Sequence, residues 1–179
     1  MSKEHGDLTS VAALWEALAH QAGRNGLSVA RAPMVAPTRG YTDFRTREIV
    51  VADRLDELNA VARLAHEVGH VRLHSTSAVT AVLRCDGMRQ IEAEIFAFLV
   101  LSHYRLGTAD APFDYIARWA AHTAPVESRT QIDEICARVA QAAARTVELM
   151  GQHHAGRRAQ SQRDAAAPEP EASSPDLGW

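Results

Sequence analysis

Val11, Leu14, Trp15 and Leu18 recur at i, i+3, i+4 and i+7, which predicts one apolar face of an opening helix. Thr9 or Ser10 can cap it, and Gly23 or Gly26 can end it. Leu27-Ser-Val-Ala-Arg31 reads as a short strand, and the segment 32–40, with two prolines and a glycine, as a loop. Residues 41–52 read as a hairpin, with Arg45-Thr46-Arg47 near the turn and Ile49-Val50-Val51 in its second strand. Asp53 stands where an N-cap belongs, ahead of a helix from about Leu55 to His74. Three more helices follow by periodicity: Arg89 to Leu106, stopping at Gly107; Pro112 to His122; and Val126 to Met150. Helices around a small sheet, with no βαβ alternation, predict an α+β fold: a small antiparallel sheet packed with about five helices.

From 152 onward there is no Ile, Val, Phe or Met, and Ala, Ser, Pro, Gln and mixed charges dominate. Such a segment cannot bury enough apolar surface to offset its ordering entropy. The expected organisation is one folded domain over 1–151 and a disordered tail over 152–179. A total of 179 residues suits one domain of that size.

Charge and cysteine content remove whole classes of function. The formal charge of −3 supplies neither a basic field for nucleic acid nor the strongly acidic surface of a DNA mimic. The two cysteines, Cys85 and Cys136, form no CxxC pair, which excludes a zinc ribbon or a disulfide scaffold. The N-terminal residues are polar, and the longest dense apolar stretch, Ile91 to Leu101, spans 11 residues with two glutamates. The expectation is a soluble, cytoplasmic chain with no membrane contact.

The candidate chemistry lies in His66-Glu67-Val68-Gly69-His70, an HExxH sequence. Two histidines four apart on a helix differ by about 40° in direction and lie about 6 Å apart along the axis, so both imidazoles can reach one ion. Neutral imidazole suits Zn²⁺, and Glu67 can take a proton from a water acidified by the metal. Leu58, Val61, Leu64, Ala65, Val68 and Val71 surround the motif with apolar residues, so its histidines need partners. Leu73 and Thr76 stand where the longer HExxHxxGxxH pattern requires Gly and His. A third ligand should therefore be a carboxylate on a later element. The segment Arg89-Gln-Ile-Glu-Ala-Glu-Ile-Phe-Ala offers Glu92 and Glu94, about 200° apart on a helix, and periodicity does not choose between them. His74, four residues past His70, is a candidate for a supporting group or for polarising a substrate carbonyl.

The runs Leu64-Ala-His-Glu-Val-Gly-His-Val-Arg-Leu-His74 and Glu92-Ala-Glu-Ile-Phe-Ala97 together resemble the ImmA/IrrE family of zincin-like metallopeptidases. Gly40-Tyr41-Thr42-Asp43 and Phe113-Asp-Tyr115-Ile-Ala-Arg-Trp119 make the resemblance closest to the peptidase domain of actinobacterial ArdC-type antirestriction proteins. The resemblance covers roughly 40–123. It implies a zincin-like fold with HExxH on the active-site helix, and one Zn²⁺ per chain held by His66, His70 and Glu92. It also implies Glu67 as general base, and so prefers Glu92 to Glu94. His74, Tyr41 and Tyr115 are the candidates for stabilising the transition state. Gln90 replaces a glutamate common in the family, which removes one charge near the metal. The implied activity is zinc-dependent endopeptidase action on a cytoplasmic regulatory protein, such as a transcriptional repressor. The rival classes are a non-catalytic zinc-stabilised binding module and an antirestriction factor of a mobile element.

Overall fold

The computed structural model describes residues 10–74, 87–106 and 129–166. In chain order these form α1 (Val11–Arg24), β1 (Ser28–Ala32), β2 (Gly40–Asp43), β3 (Glu48–Ala52), α2 (Glu57–His74), α3 (Gly87–His103) and α4 (Arg129–Ala166). The class is α+β, with four helices and three strands among the described residues. The helix expected over 112–122 lies outside them.

Ser10 caps α1, its hydroxyl accepting from the Ala13 amide. Gly26, at φ 74, takes the left-handed position that lets the chain leave the helix. The strand order is β1-β3-β2. β2 and β3 pair antiparallel as a hairpin, with Tyr41 opposite Val50. The β1–β3 pair is parallel, Val29 opposite Ile49, so the sheet is mixed and not antiparallel as expected. The reason is the connection after β1, which crosses to the far edge of β3 before the chain reverses. Arg54 secures that crossing by donating to the carbonyls of Met34 and Thr38. Ile49, Val50, Val51 and Ala52 are all buried, as befits the central strand.

The cap of α2 is Asp56, whose carboxylate accepts from the Asn59 amide at 2.9 Å. Asp53, the expected cap, is still tied to the sheet through its amide, which donates to the Ala32 carbonyl. α3 ends before Gly107 because Arg105 adopts the left-handed conformation, at φ 58, and the Leu106 amide returns to the Leu101 carbonyl.

Leu14 and Leu18 of α1, Ile49 and Val51 of β3, Leu64 and Val68 of α2, Phe96 and Val100 of α3, and Val139 and Met150 of α4 make one core. α2 crosses α3 at Gly69. A Cβ there would lie 3.2 Å from the Ala93 Cα and 3.1 Å from the Phe96 ring. Two small residues thus bring the helix carrying HExxH against the helix carrying Glu92.

The last helix corrects the expected stop at Met150-Gly151. It runs on to Ala166, through the first half of the segment read as a disordered tail. Nothing lies within 4 Å of a Cβ built on Gly151, so no packing demand breaks the helix there. The residues beyond it are mainly Ala, Gln and Arg, which are strong helix formers. Gln160 adds an i,i+4 hydrogen bond to Asp164.

Candidate active site

α2 places His66, Glu67, His70 and His74 on its buried side, and α3 adds Glu92, each at most 5% exposed. Burial of five ionisable side chains in one place is costly unless each finds a partner. The partners form one continuous chain. The Nε2 atoms of His66 and His70 face each other at 3.1 Å. His70 Nδ1 lies 3.1 Å from His74 Nδ1, and His74 Nε2 lies 2.6 Å from Glu92 Oε2. Glu92 Oε1 accepts from Arg138 of α4. At the other end, Glu94 Oε1 lies 3.1 Å from His66 Nδ1, a charge contact without an aligned hydrogen bond.

Burial, followed by the neighbouring His66 and His74, pushes His70 down to about 3, so this ring keeps a lone pair free for a metal. With a cation between the two Nε2 atoms, His66 would turn its Nδ1 to Glu94, His70 would give its Nδ1 proton to His74, and His74 would give its Nε2 proton to Glu92. Two nitrogens at zinc-binding distance in a tetrahedron sit about 3.3 Å apart, close to the observed separation. The donor pair therefore fits a metal such as zinc.

The carboxylates take different positions. Burial pushes the Glu92 carboxyl up, but the His74 and Arg138 contacts outweigh it and hold the group below the ordinary range. Glu94 shows the same balance, with His66 outweighing burial. Glu92 reaches the histidine pair only through His74, and no three His, Cys, Asp or Glu side chains converge as a ligand set among the described residues. Glu94 does touch a motif histidine, through the ring nitrogen pointing away from the candidate ion. Such a contact fixes the tautomer of a metal-binding imidazole.

Glu67 is contacted on both oxygens. Its Oε2 accepts from the Thr42 hydroxyl at 2.7 Å, and Arg63 Nη2 forms an ion pair 2.5 Å from its Oε1 without an aligned hydrogen bond. Arg63 in turn donates to the Gly40 carbonyl, and Gly40 is close-packed: a Cβ there would lie 2.9 Å from the Val50 carbonyl oxygen. The hairpin thus holds the general-base candidate. Side chains alternate across a strand, so with Thr42 turned to Glu67, Tyr41 faces the other way and is 45% exposed. Tyr41, a candidate stabilising group, is thus placed on the face of the hairpin away from Glu67. Tyr115 lies outside the described residues.

Thr42, Arg63 and Arg138 were not picked out from sequence. Arg63 had a usable signal, standing i,i+4 from Glu67. Thr42 entered only as part of the family-like segment 40–43 and Arg138 had no signal, because a sheet register and a helix crossing bring them in.

A buried helix with paired histidines, a clamped glutamate between them and a carboxylate helix packed behind defines a metallopeptidase-like domain. The chain belongs to the Peptidase M78 family, the IrrE N-terminal-like domain, whose model matches residues 22–127. It is also similar to an uncharacterized protein of Bacillus anthracis, 29% identical over 87 residues, which are 49% of this chain and 14% of that protein. The chain thus covers about a seventh of that relative's length. No solved structure matches. No helix among the described residues is long and apolar enough to cross a membrane.

Proposed function

We propose that the chain is a zinc-dependent endopeptidase, with one zinc held by His66, His70 and Glu92 and with Glu67 as general base. The observation that carries this reading is the pair of buried Nε2 atoms 3.1 Å apart, beside a carboxylate held on both oxygens. Zinc bound there would supply Lewis acidity, polarising a carbonyl and bringing the pKa of a water to about 7. The chain's own residues supply the rest. Glu94 and His74 hold the histidines in the tautomer that turns both Nε2 lone pairs to the metal. Thr42 and Arg63 keep Glu67 in one rotamer. Glu67 takes the proton of the attacking water and delivers it to the leaving amine. His74 is bound between His70 and Glu92, which supports a role in orienting ligands more than contact with substrate.

The substrate is a cytoplasmic regulatory protein, a transcriptional repressor by family analogy. Kinship with ArdC-type peptidase domains rests on segments 40–43 and 113–119. A non-catalytic zinc-stabilised module would have no use for a buried Glu67 with two dedicated partners.

Emission analysis should find one zinc per chain in the wild type and none in His70→Ala. Glu67→Gln should keep its zinc and cut the cleavage of candidate repressors from neighbouring genes by roughly 10²–10⁴-fold. Zinc loss in Glu67→Gln would overturn the general-base assignment.

A further inference from the structure

We infer that Arg138 is a positioning residue that withholds Glu92 from the metal site, so that the docking of α4 sets how tightly the metal is held. The inference rests on the proposed zinc site and adds a control to it. Both Glu92 oxygens are engaged, one by buried His74 and the other by Arg138. His74 sits on the same helix as the histidine pair and is itself buried, so that contact is fixed by the fold. The Arg138 side chain is 54% exposed on a different helix and can let go. Glu92 stands one imidazole away from the His66–His70 pair, and it must give up part of its present bonding to join them.

Two electrostatic effects of Arg138 have the same sign. Its guanidinium neutralises the carboxylate, which lowers the donor strength of Glu92. It also adds a positive charge beside the place where a divalent cation would bind. α4 begins at Arg129, beyond the family-matched residues 22–127. The control therefore comes from the last helix, outside the matched residues.

The test is zinc affinity of the purified full chain, measured by competition with a chromophoric chelator. Arg138→Ala and Arg138→Gln should bind zinc about tenfold more tightly than wild type, the scale at which groups one step from a ligand act. Arg138→Lys, which keeps the charge, should stay near wild type, as should Arg145→Ala on the same helix. In a Glu92→Gln background, removing Arg138 should tighten zinc binding by clearly less than it does in wild type, because only the direct charge effect is left. Equal or weaker zinc binding in both Arg138→Ala and Arg138→Gln overturns the inference, as does tightening of undiminished size without Glu92. Absence of zinc from every variant and from wild type would sink the zinc site itself. That outcome is distinct from a wild type that binds zinc and ignores Arg138.

Discussion

Glu67 and Glu92 flank the same pair of histidines, yet they are held by different parts of the molecule. Glu67 is bound by Thr42 of β2 and by Arg63 one turn earlier on its own helix, both within the family-matched residues. Glu92 is bound by His74 and by Arg138, and Arg138 comes from outside that match. The base is thus held by the hairpin and its own helix, whereas the carboxylate proposed as third ligand answers to the last helix. A group that must move a proton gains from being fixed beforehand. A group that must close around an ion can serve as a point of control.

The sharpest way to break this contrast is at Thr42. Thr42→Val keeps the shape and removes the hydroxyl, leaving a buried carboxylate oxygen without its donor. The expected cost is about 1–3 kcal/mol in stability. Proteolysis should fall at least as much as the misplaced base implies, roughly tenfold or more, while zinc content stays the same. Thr42→Ser should restore both. Zinc loss in Thr42→Val, read by emission analysis, would show that the hairpin supports the ligands and not the base alone.

How far this arrangement was legible in sequence depends on the range of each contact. The HExxH helix and the Ile49-Val50-Val51 strand were legible because periodicity is local. The four-residue spacing of His66 and His70 alone puts two imidazoles on one side. The parallel β1–β3 pairing was not legible, since it depends on where residues 33–39 carry the chain. Nor was the choice between Asp53 and Asp56 as cap, because only the sheet shows that the Asp53 amide is already used. At Glu92 the resemblance named a ligand, whereas the structure shows a carboxylate engaged by an imidazole and a guanidinium. No one-dimensional signal links 92 with 138. Glu94, which the resemblance passed over in favour of Glu92, faces the outer nitrogen of His66.

Acid should act on the histidine side of the contrast. The folded His70 imidazole titrates at about 3, against 6.5 for the ordinary group. Between those values the unfolded chain binds a proton that the folded chain does not. The stability of metal-free protein should therefore be fully present above about pH 6.5 and decline as pH falls toward 3. The slope approaches about 1.4 kcal/mol per pH unit for this one group. Glu92 and Glu94, held below their usual range, act in the same direction at lower pH. Urea melts of the apo protein at several pH values measure the slope. A stability that stays flat from pH 7 to 4 would show that the His70 ring is far better hydrated than its 3% exposure indicates.

The smallest expected effect lies at the far end of α4, where the site's control helix becomes a solvent-exposed extension. Val139, Ala143, Thr146 and Met150 are buried, but among the described residues past Gly151 the only side chains with partial cover are His153 and His154. His153 stacks on His20 of α1, ring centroids 3.6 Å apart and planes within 10°. Burial, with the adjacent charges of His20, Arg157 and His154, holds His153 below its ordinary range. Truncation after Gly151 removes that stack together with an otherwise exposed helix. It should cost about 0.5 kcal/mol, near the low end for an aromatic pair. Truncation after Ala166 keeps the stack and should cost nothing measurable. Neither should alter zinc affinity, because Arg138 and the buried half of α4 remain in place. A change in zinc affinity on cutting at Gly151 would mean that the extension helps to dock α4, and that the grip on Glu92 depends on the whole helix and not on its first half.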